Sequence, residues 1–98
     1  MYDINFLKEN NAKHLWHPMA HPAESLAQPP KIITAASGVR ICDVDGHEMI
    51  DAVGGLWNVN LGFSNKAIKE AISKQLDTLP YYSIFRGTTN DAVIELSY

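Results

Sequence analysis

Four prolines fall between Pro18 and Pro30, and they constrain the fold more than any other feature of the chain. Each proline lacks a backbone N–H and has a fixed φ angle, so this stretch cannot form a continuous helix or a central strand. The residues between the prolines are mostly small or polar. We therefore predict an extended segment that crosses from a first helix to the elements that follow.

Three histidines lie in or next to this segment, at His14, His17 and His21. Imidazoles three and four residues apart share one face of a helix and can gather a metal ion. Pro18 and Pro22 interrupt that helix, and no cysteine lies nearby as a fourth ligand. The sequence therefore predicts no metal site here.

The segment before the prolines predicts a helix, and the segment after them a small sheet. Asp3 suits the N-cap of a short amphipathic helix that ends near Asn10-Asn11 or shortly after. Downstream, β-branched and apolar residues predict an antiparallel β meander, with Asp-Gly as a tight hairpin turn. Its runs and turns are residues 31–36, Ser37-Gly38, 39–44, Asp45-Gly46 and 47–53.

Two more helices are predicted in the last third of the chain. Ser64 is expected to cap the first, in which apolar residues recur at i, i+3 and i+4 spacing, and Pro80 ends it. Asn90 is expected to cap the second. The apolar stripe of the first helix consists of Ala67, Ile68, Ala71, Ile72 and Leu76. The fold class predicted for this segment is therefore α+β: a short helix, an antiparallel β meander and two helices.

Composition narrows the classes of function. The net charge of −3, with dispersed Lys and Arg, gives no basic stripe for nucleic acid. No apolar run approaches the roughly 20 residues of a membrane crossing. The single cysteine, Cys42, lies in a predicted strand as an inert core thiol, and the first residues lack the apolar core of a signal peptide. We expect a cytoplasmic, globular protein that binds neither nucleic acid nor membrane.

Three further motifs allow more than one interpretation. Residues 43–46 (DVDG) look like the start of a calcium loop, but its third acidic residue and closing glutamate are missing, so a hairpin turn is favoured. Trp57 stands in a glycine-rich segment, where a large ring faces a ligand pocket or fills a core; the sequence favours neither. The aromatic run 79–85 suits either a subunit contact or a pocket wall.

The order of these motifs resembles the start of class III aminotransferases, closest to the omega-amino-acid:pyruvate branch. The resemblance covers nearly the whole chain, in order and without large gaps. It includes residues 14–19 (HLWHPM), the glycine-led hairpin 38–51, residues 55–62 (GLWNVNLG) with the alanine-isoleucine helix that follows, residues 79–85 (LPYYSIF), and Thr88-Thr89.

This resemblance implies a pyridoxal-phosphate-dependent transaminase of fold type I, a homodimer that moves an amino group from an amine or omega-amino acid to a keto acid such as pyruvate. Residues 1–53 would form the N-terminal part of the small domain. Residues 54–98 would form a pocket loop and the start of the large domain, with an interface segment. The cofactor would be bound mainly by residues outside this chain, which lacks the catalytic lysine, so the chain alone would be inactive.

The resemblance also implies which residues here line the substrate site. Leu56 and Trp57 match the segment beside the cofactor, and Met19 matches the entrance wall. Phe85 and Arg86 match a stretch that contributes to the pocket, often across the dimer interface. Arg86 departs from the aromatic or small residue often found there, and its guanidinium could pair with a second carboxylate on the amino donor.

The chain is therefore expected to be a segment of such an enzyme: a fragment, a truncated form or one chain of a cleaved enzyme. Its partners would be the remainder of the polypeptide, the homodimer partner, and the amino donor and keto acid. One alternative is a small non-catalytic binding domain, which would bury its own apolar residues. Another is a truncated regulator that dimerises with the full enzyme and inhibits it.

Overall fold

A computed structural model describes residues 3–98, which form two compact units, one ending at Ser64 and the other spanning Asn65–Tyr98. The first unit holds two helices, a three-stranded sheet and a short helical turn, and the second holds two helices. In chain order the elements are α1 (Ile4–His14), α2 (Pro22–Ala27), β1 (Ile33–Ser37), β2 (Arg40–Asp43), β3 (Glu48–Ile50), α3 (Gly54–Trp57), α4 (Lys66–Thr78) and α5 (Asp91–Ser97).

The first helix begins as predicted and runs slightly further. The Asp3 carboxylate accepts a hydrogen bond from the Phe6 backbone N–H at 3.3 Å, which confirms the N-cap. The Asn10-Asn11 pair does not end α1, because the Asn10 amide donates to the Phe6 carbonyl at 2.8 Å and the helix continues to His14.

The proline-rich segment is not extended throughout, so that prediction is wrong for α2. Pro22 occupies the first helical position, where its missing N–H costs nothing and its fixed φ suits a helix. His21 caps the turn, since its Nδ1 accepts from the Ala23 backbone N–H at 3.2 Å. The helix ends at Ala27, just before Pro29-Pro30.

The predicted meander is confirmed as an antiparallel sheet in the order β1-β2-β3. In register, Ser37 pairs with Arg40 across the first turn and Arg40 pairs with Ile50 on the other side. The second turn, at Asp45-Gly46, has Gly46 at φ 87°, a conformation that glycine adopts readily.

The second unit contains both predicted helices, with one correction. Asn65, not Ser64, caps α4, because its side-chain oxygen accepts from the Ile68 backbone N–H at 3.1 Å. The Ser64 hydroxyl is used in the first unit, where it accepts from the Gly38 N–H at 2.7 Å. The helix ends at Thr78, two residues before Pro80. The predicted cap of α5 is confirmed, since Asn90 accepts from the Val93 N–H at 3.0 Å.

Residues 3–98 contain no buried hydrophobic side chain; the only buried residues in this range are Ser25 and Asp43. The chain exposes 8737 Å², whereas a folded monomer of 10.9 kDa is expected to expose about 5,600 Å². The α4 stripe is itself open, with Ile72 and Leu76 each 55% exposed. Within each of the two units, the apolar faces of these elements therefore have no counterpart. No helix in this range has the length and apolar character to cross a membrane.

Candidate functional site

The sheet carries the segment that contains Leu56 and Trp57. Strand β3 ends at Ile50, and the next backbone N–H, that of Asp51, donates to the Val39 carbonyl at 2.9 Å. Further along, the Phe63 N–H donates to the Gly38 carbonyl at 2.8 Å. Both ends of the intervening segment are therefore attached to the turn between β1 and β2.

At the start of this segment, α3 is one left-handed turn. Its four residues all have positive φ, at 58° for Gly54, 59° for Gly55, 67° for Leu56 and 68° for Trp57. The Trp57 N–H donates to the Val53 carbonyl at 3.0 Å, which closes the turn. Left-handed backbone costs an L-residue about 1–2 kcal/mol. Leu56 and Trp57 are therefore strained, and strain of this kind is concentrated at functional sites.

The turn presents two large apolar side chains outward. Leu56 is 70% exposed and Trp57 is 85% exposed. Within residues 3–98 Trp57 therefore fills no core, and its role as a pocket residue stays a prediction. An outward-facing indole and leucine form an apolar surface that a ligand or a further part of the polypeptide can cover.

Close packing makes two glycines necessary around the turn. A Cβ on Gly55 would lie 2.6 Å from Val59 Cγ2 and 2.7 Å from Asn58 Oδ1. A Cβ on Gly62 would lie 2.7 Å from the Gly38 carbonyl oxygen. The glycine-rich character of residues 54–62 thus reflects positive φ and close backbone approach.

Asp51 is a residue that the sequence analysis did not single out. Its Oδ2 accepts from the Gly55 N–H at 2.7 Å, and its Oδ1 accepts from the Val53 N–H at 3.3 Å. Its backbone carbonyl accepts from the Gly54 N–H at 3.3 Å. An aspartate shortly before a glycine pair was the available signal, since Asp side chains commonly bond backbone N–H groups that follow them.

The remaining predicted site residues lie in loops. Met19 lies between α1 and α2, fully exposed, with φ 57°. Phe85 and Arg86 belong to the second unit, where the Phe85 N–H donates to Ser83 Oγ at 3.2 Å and Phe85 is 93% exposed. Within residues 3–98 Arg86 forms no ion pair. The structure thus brings Leu56 and Trp57 together in one turn and leaves the other three exposed.

The Asp-Gly hairpin is held by local hydrogen bonds. Asp43 Oδ1 accepts from the backbone N–H groups of Asp45 at 3.0 Å and His47 at 2.9 Å, and both Asp45 carboxylate oxygens accept from Lys8 Nζ, at 2.8 and 2.9 Å. The His47 backbone N–H holds the pKa of the Asp43 carboxyl below its usual value, against the opposing effect of desolvation. Asp43, Asp45 and His47 have ligand atoms within 4.8 Å of one another. Those atoms already have protein partners, so a hairpin turn accounts for the cluster.

The histidines do not assemble as metal ligands. His17 Nε2 lies 2.9 Å from Asn11 Oδ1, and His21 caps α2. Across the described range, His14, His17 and His21 form no group with ligand atoms in mutual reach.

Within the described chain, the surroundings of the lysines do not favour the role of covalent attachment to pyridoxal phosphate. That role needs a lysine desolvated or otherwise tuned to react as a free amine. Every lysine side chain with an ion pair here is at least 40% exposed, and Lys69 and Lys74 lie on the exposed surface of α4. No step through the cofactor is therefore assigned to a residue of this chain.

Comparison with known proteins identifies the class of protein. The family model for class III aminotransferases matches residues 21–97, and the chain belongs to that family. Taurine–pyruvate aminotransferase of Rhodobacter capsulatus is 38% identical over 80 residues, which are 81% of this chain and 17% of that protein. Putrescine–pyruvate aminotransferase of Pseudomonas aeruginosa is 40% identical over 67 residues, which are 68% of this chain and 15% of that protein.

Solved structures show the same fold. The omega transaminase of Pseudomonas jessenii, in complex with PMP, superposes with a TM-score of 0.80 at 33% identity, over 92% of this chain and 20% of that one. The adenosylmethionine-8-amino-7-oxononanoate aminotransferase of Methanocaldococcus jannaschii gives 0.84 at 32% identity, over 97% of this chain and 22% of that one. The predicted α+β fold, as part of the fold type I architecture, is therefore confirmed. The chain spans about a fifth of the length of the relatives it matches.

Proposed function

We propose that this chain is the amino-terminal part of a pyridoxal-phosphate-dependent transaminase and forms a wall of its substrate site. The reaction moves an amino group from an amine or omega-amino acid to a keto acid such as pyruvate. The outward-facing Leu56–Trp57 turn is the observation that carries the proposal, because it presents an apolar surface on a strained, hydrogen-bonded backbone. The pyruvate-dependent activities named for its relatives support the reaction.

In this proposal the chain orients the substrate and does not react with it. Pyridoxal phosphate, when bound, supplies an electron sink for the carbon that gives up its amino group. Leu56 and Trp57 would exclude water from one side of the donor and limit its size. Met19 would line the entrance of the substrate site. Phe85 would add a further part of its wall, and would come from the dimer partner where the interface segment within residues 54–98 reaches across the dimer.

The exposed area supports further polypeptide as the partner. About 3,000 Å² more is exposed than a folded monomer of this mass would expose. A standard protein interface covers only about 800 Å² on each partner. Covering the excess needs contact on the scale of a domain core, which the remainder of the polypeptide and a homodimer partner would provide. We assign residues 1–53 to the small domain and residues 54–98 to the pocket loop and the start of the large domain.

The alternative of a self-sufficient binding domain has less support. Such a domain would bury the pocket-segment and aromatic residues within itself, yet Leu61 is 68% exposed and Tyr81 is 79% exposed. The free thiol of Cys42 supports a reducing compartment, which we propose is the cytoplasm.

Arg86 points to a class of amino donor within this function. A guanidinium with no ion-pair partner in the described chain can bind a carboxylate through two parallel hydrogen bonds. We therefore expect the donor to carry an anionic group in addition to its amine. Arg86→Gln should raise KM for an omega-amino acid and leave KM for an uncharged amine of similar length unchanged, with Arg86→Lys intermediate. An equal change for both donors would contradict this donor class.

The experiment that tests the function is a chimera. Residues 1–98 replace the matching segment of the Rhodobacter capsulatus enzyme, and alanine formation from pyruvate and an amine is measured. We expect turnover in the chimera, and neither turnover nor a saturable one-to-one adduct with pyridoxal phosphate in the isolated chain. A folded, cofactor-loaded chimera without turnover would contradict the proposal, as would a saturable adduct abolished by changing one lysine of this chain.

A further inference from the structure

We propose that Asp51 is a positioning residue that sets amino-donor selectivity, because it holds Leu56 and Trp57 in the left-handed turn. The inference rests on the proposed function, since it concerns the same apolar wall. The resemblance to class III aminotransferases assigns no role to Asp51. Its carboxylate would touch neither substrate nor cofactor and would act through the two side chains that do.

Asp51 supplies hydrogen-bond acceptors to the start of the turn. A helical turn leaves its first backbone N–H groups without partners inside the turn. Here one residue satisfies three in succession: Asp51 accepts from Val53 at 3.3 Å, from Gly54 at 3.3 Å and from Gly55 at 2.7 Å. Two of these bonds go to the carboxylate, and bonds to an ionised acceptor are stronger than neutral ones.

Asp51 is itself held in place by the sheet. Its own N–H donates to the Val39 carbonyl at 2.9 Å, directly after the strand in which Ile50 pairs with Arg40. The carboxylate is therefore attached to the sheet and not to a mobile chain end. The side chain of Asp51 therefore links the turn to the sheet.

The hydrogen bonds to Asp51 hold a strained backbone in place. Leu56 and Trp57 are L-residues at φ 67° and 68°, a conformation that persists only where the surroundings enforce it. Neither side chain is buried in the described chain, so internal packing does not enforce it. Without the carboxylate, the backbone of Leu56 and Trp57 is expected to relax toward negative φ, and the indole then moves relative to the donor.

The choice of Asp at this position follows from the same geometry. A carboxylate offers an acceptor oxygen to each of the Val53 and Gly55 N–H groups. An asparagine keeps one acceptor and turns an NH₂ group toward the other N–H, so Asp51→Asn should weaken the turn partly. Asp51→Ala removes both side-chain bonds and should release it.

The test uses the holoenzyme that contains this chain, with Asp51→Ala, Asp51→Asn and the control Asp45→Asn. Asp45 is a carboxylate of the same meander that pairs with Lys8 and makes no bond to the turn. The measured quantity is the ratio of kcat/KM for a bulky aryl-substituted amine to that for a small linear amine. We expect a change of about tenfold for Asp51→Ala, within the range that apolar pocket changes produce, a smaller change for Asp51→Asn and none for the control.

A double-mutant cycle separates positioning from a general structural role. In a Trp57→Ala background, Asp51→Ala should change the ratio little further, because the ring that it positions is gone. The same tenfold change in both backgrounds, or an unchanged ratio in the single variant, would overturn the proposal.

A second measurement does not depend on activity. In a crystal structure of the Asp51→Ala holoenzyme, Leu56 or Trp57 should leave positive φ; where that variant does not fold, the partly weakened turn of Asp51→Asn should show shifted φ angles at these residues. Retention of the left-handed turn in Asp51→Ala, or an unaltered turn in Asp51→Asn where Asp51→Ala does not fold, would overturn the assignment. Failure of the proposed function has a different signature, which is the absence of pyruvate-dependent turnover in the unsubstituted holoenzyme.

Discussion

Residues 1–98, produced without further polypeptide, are predicted not to unfold cooperatively. Cooperative unfolding needs a buried apolar core, and the described chain has no buried hydrophobic side chain. In this form the chain is separated from any polypeptide that would cover its apolar faces. A chain with isolated helices and one small sheet has local secondary structure but little packing that couples these elements to one another during unfolding.

The surface areas give the size of the effect. An unfolded chain of 10.9 kDa exposes about 15,800 Å², so the observed 8737 Å² corresponds to burial of about 45% of that surface. A folded domain of this size buries about 60–65%. The shortfall is about 3,000 Å², nearly a third of what such a domain buries on folding.

The assay is a urea titration followed by far-ultraviolet circular dichroism and by tryptophan fluorescence. Trp16 and Trp57 are 82% and 85% exposed, so we expect emission typical of indole in water before any denaturant is added. The signal should change gradually with urea. A single sigmoidal transition with a slope of about 1 kcal/mol/M or more, in a chain shown to be monomeric by ultracentrifugation, would mean that the chain folds around a core of its own.

Three further predictions concern the holoenzyme. Trp57→Ala should alter donor selectivity and kcat strongly with little loss of stability, whereas unchanged kinetics with a loss of about 3–5 kcal/mol in unfolding free energy would indicate a buried core tryptophan. The lowered pKa of Asp43 means that its ionised form stabilises the fold above the unfolded-state pKa near 3.9. The urea midpoint should therefore exceed that of Asp43→Asn at neutral pH, and the difference should shrink as pH falls through the lowered pKa; a pH-independent difference would contradict this. Asn65→Ala should cost about 1 kcal/mol and speed hydrogen exchange at the Ile68 amide, while Asn65→Asp, which keeps an acceptor, should not; equal exchange in both would contradict the cap.

Local rules predicted most of the secondary structure. The caps at Asp3 and Asn90, the meander and the amphipathic α4 all follow from patterns within a few residues. The error at α2 came from treating every proline as a breaker, although Pro22 at the first helical position favours a helix.

Contacts between distant residues decided what local rules could not. Ser64 and Asn65 are both good capping residues, and only the bond from Ser64 to Gly38, 26 residues earlier, leaves the cap to Asn65. The left-handed conformation of α3 likewise depends on hydrogen bonds from the backbone of the turn to the Asp51 carboxylate. The sequence of the turn itself shows only two adjacent glycines. The glycine-rich sequence of residues 54–62 did not predict that Leu56 would share the positive φ of the glycines before it.

The attachment of both ends of the Leu56–Trp57 segment to one turn has a consequence for how such a protein changes during evolution. Asp51 and Phe63 bond the carbonyls of Val39 and Gly38, so the residues between them form an Ω-loop closed at its base. Substitutions at the tip of a closed loop alter its surface without shifting the strands that carry it. Residues at the tip of the loop, away from the close approach of Gly62 to the Gly38 carbonyl, can therefore be substituted while the sheet stays unchanged.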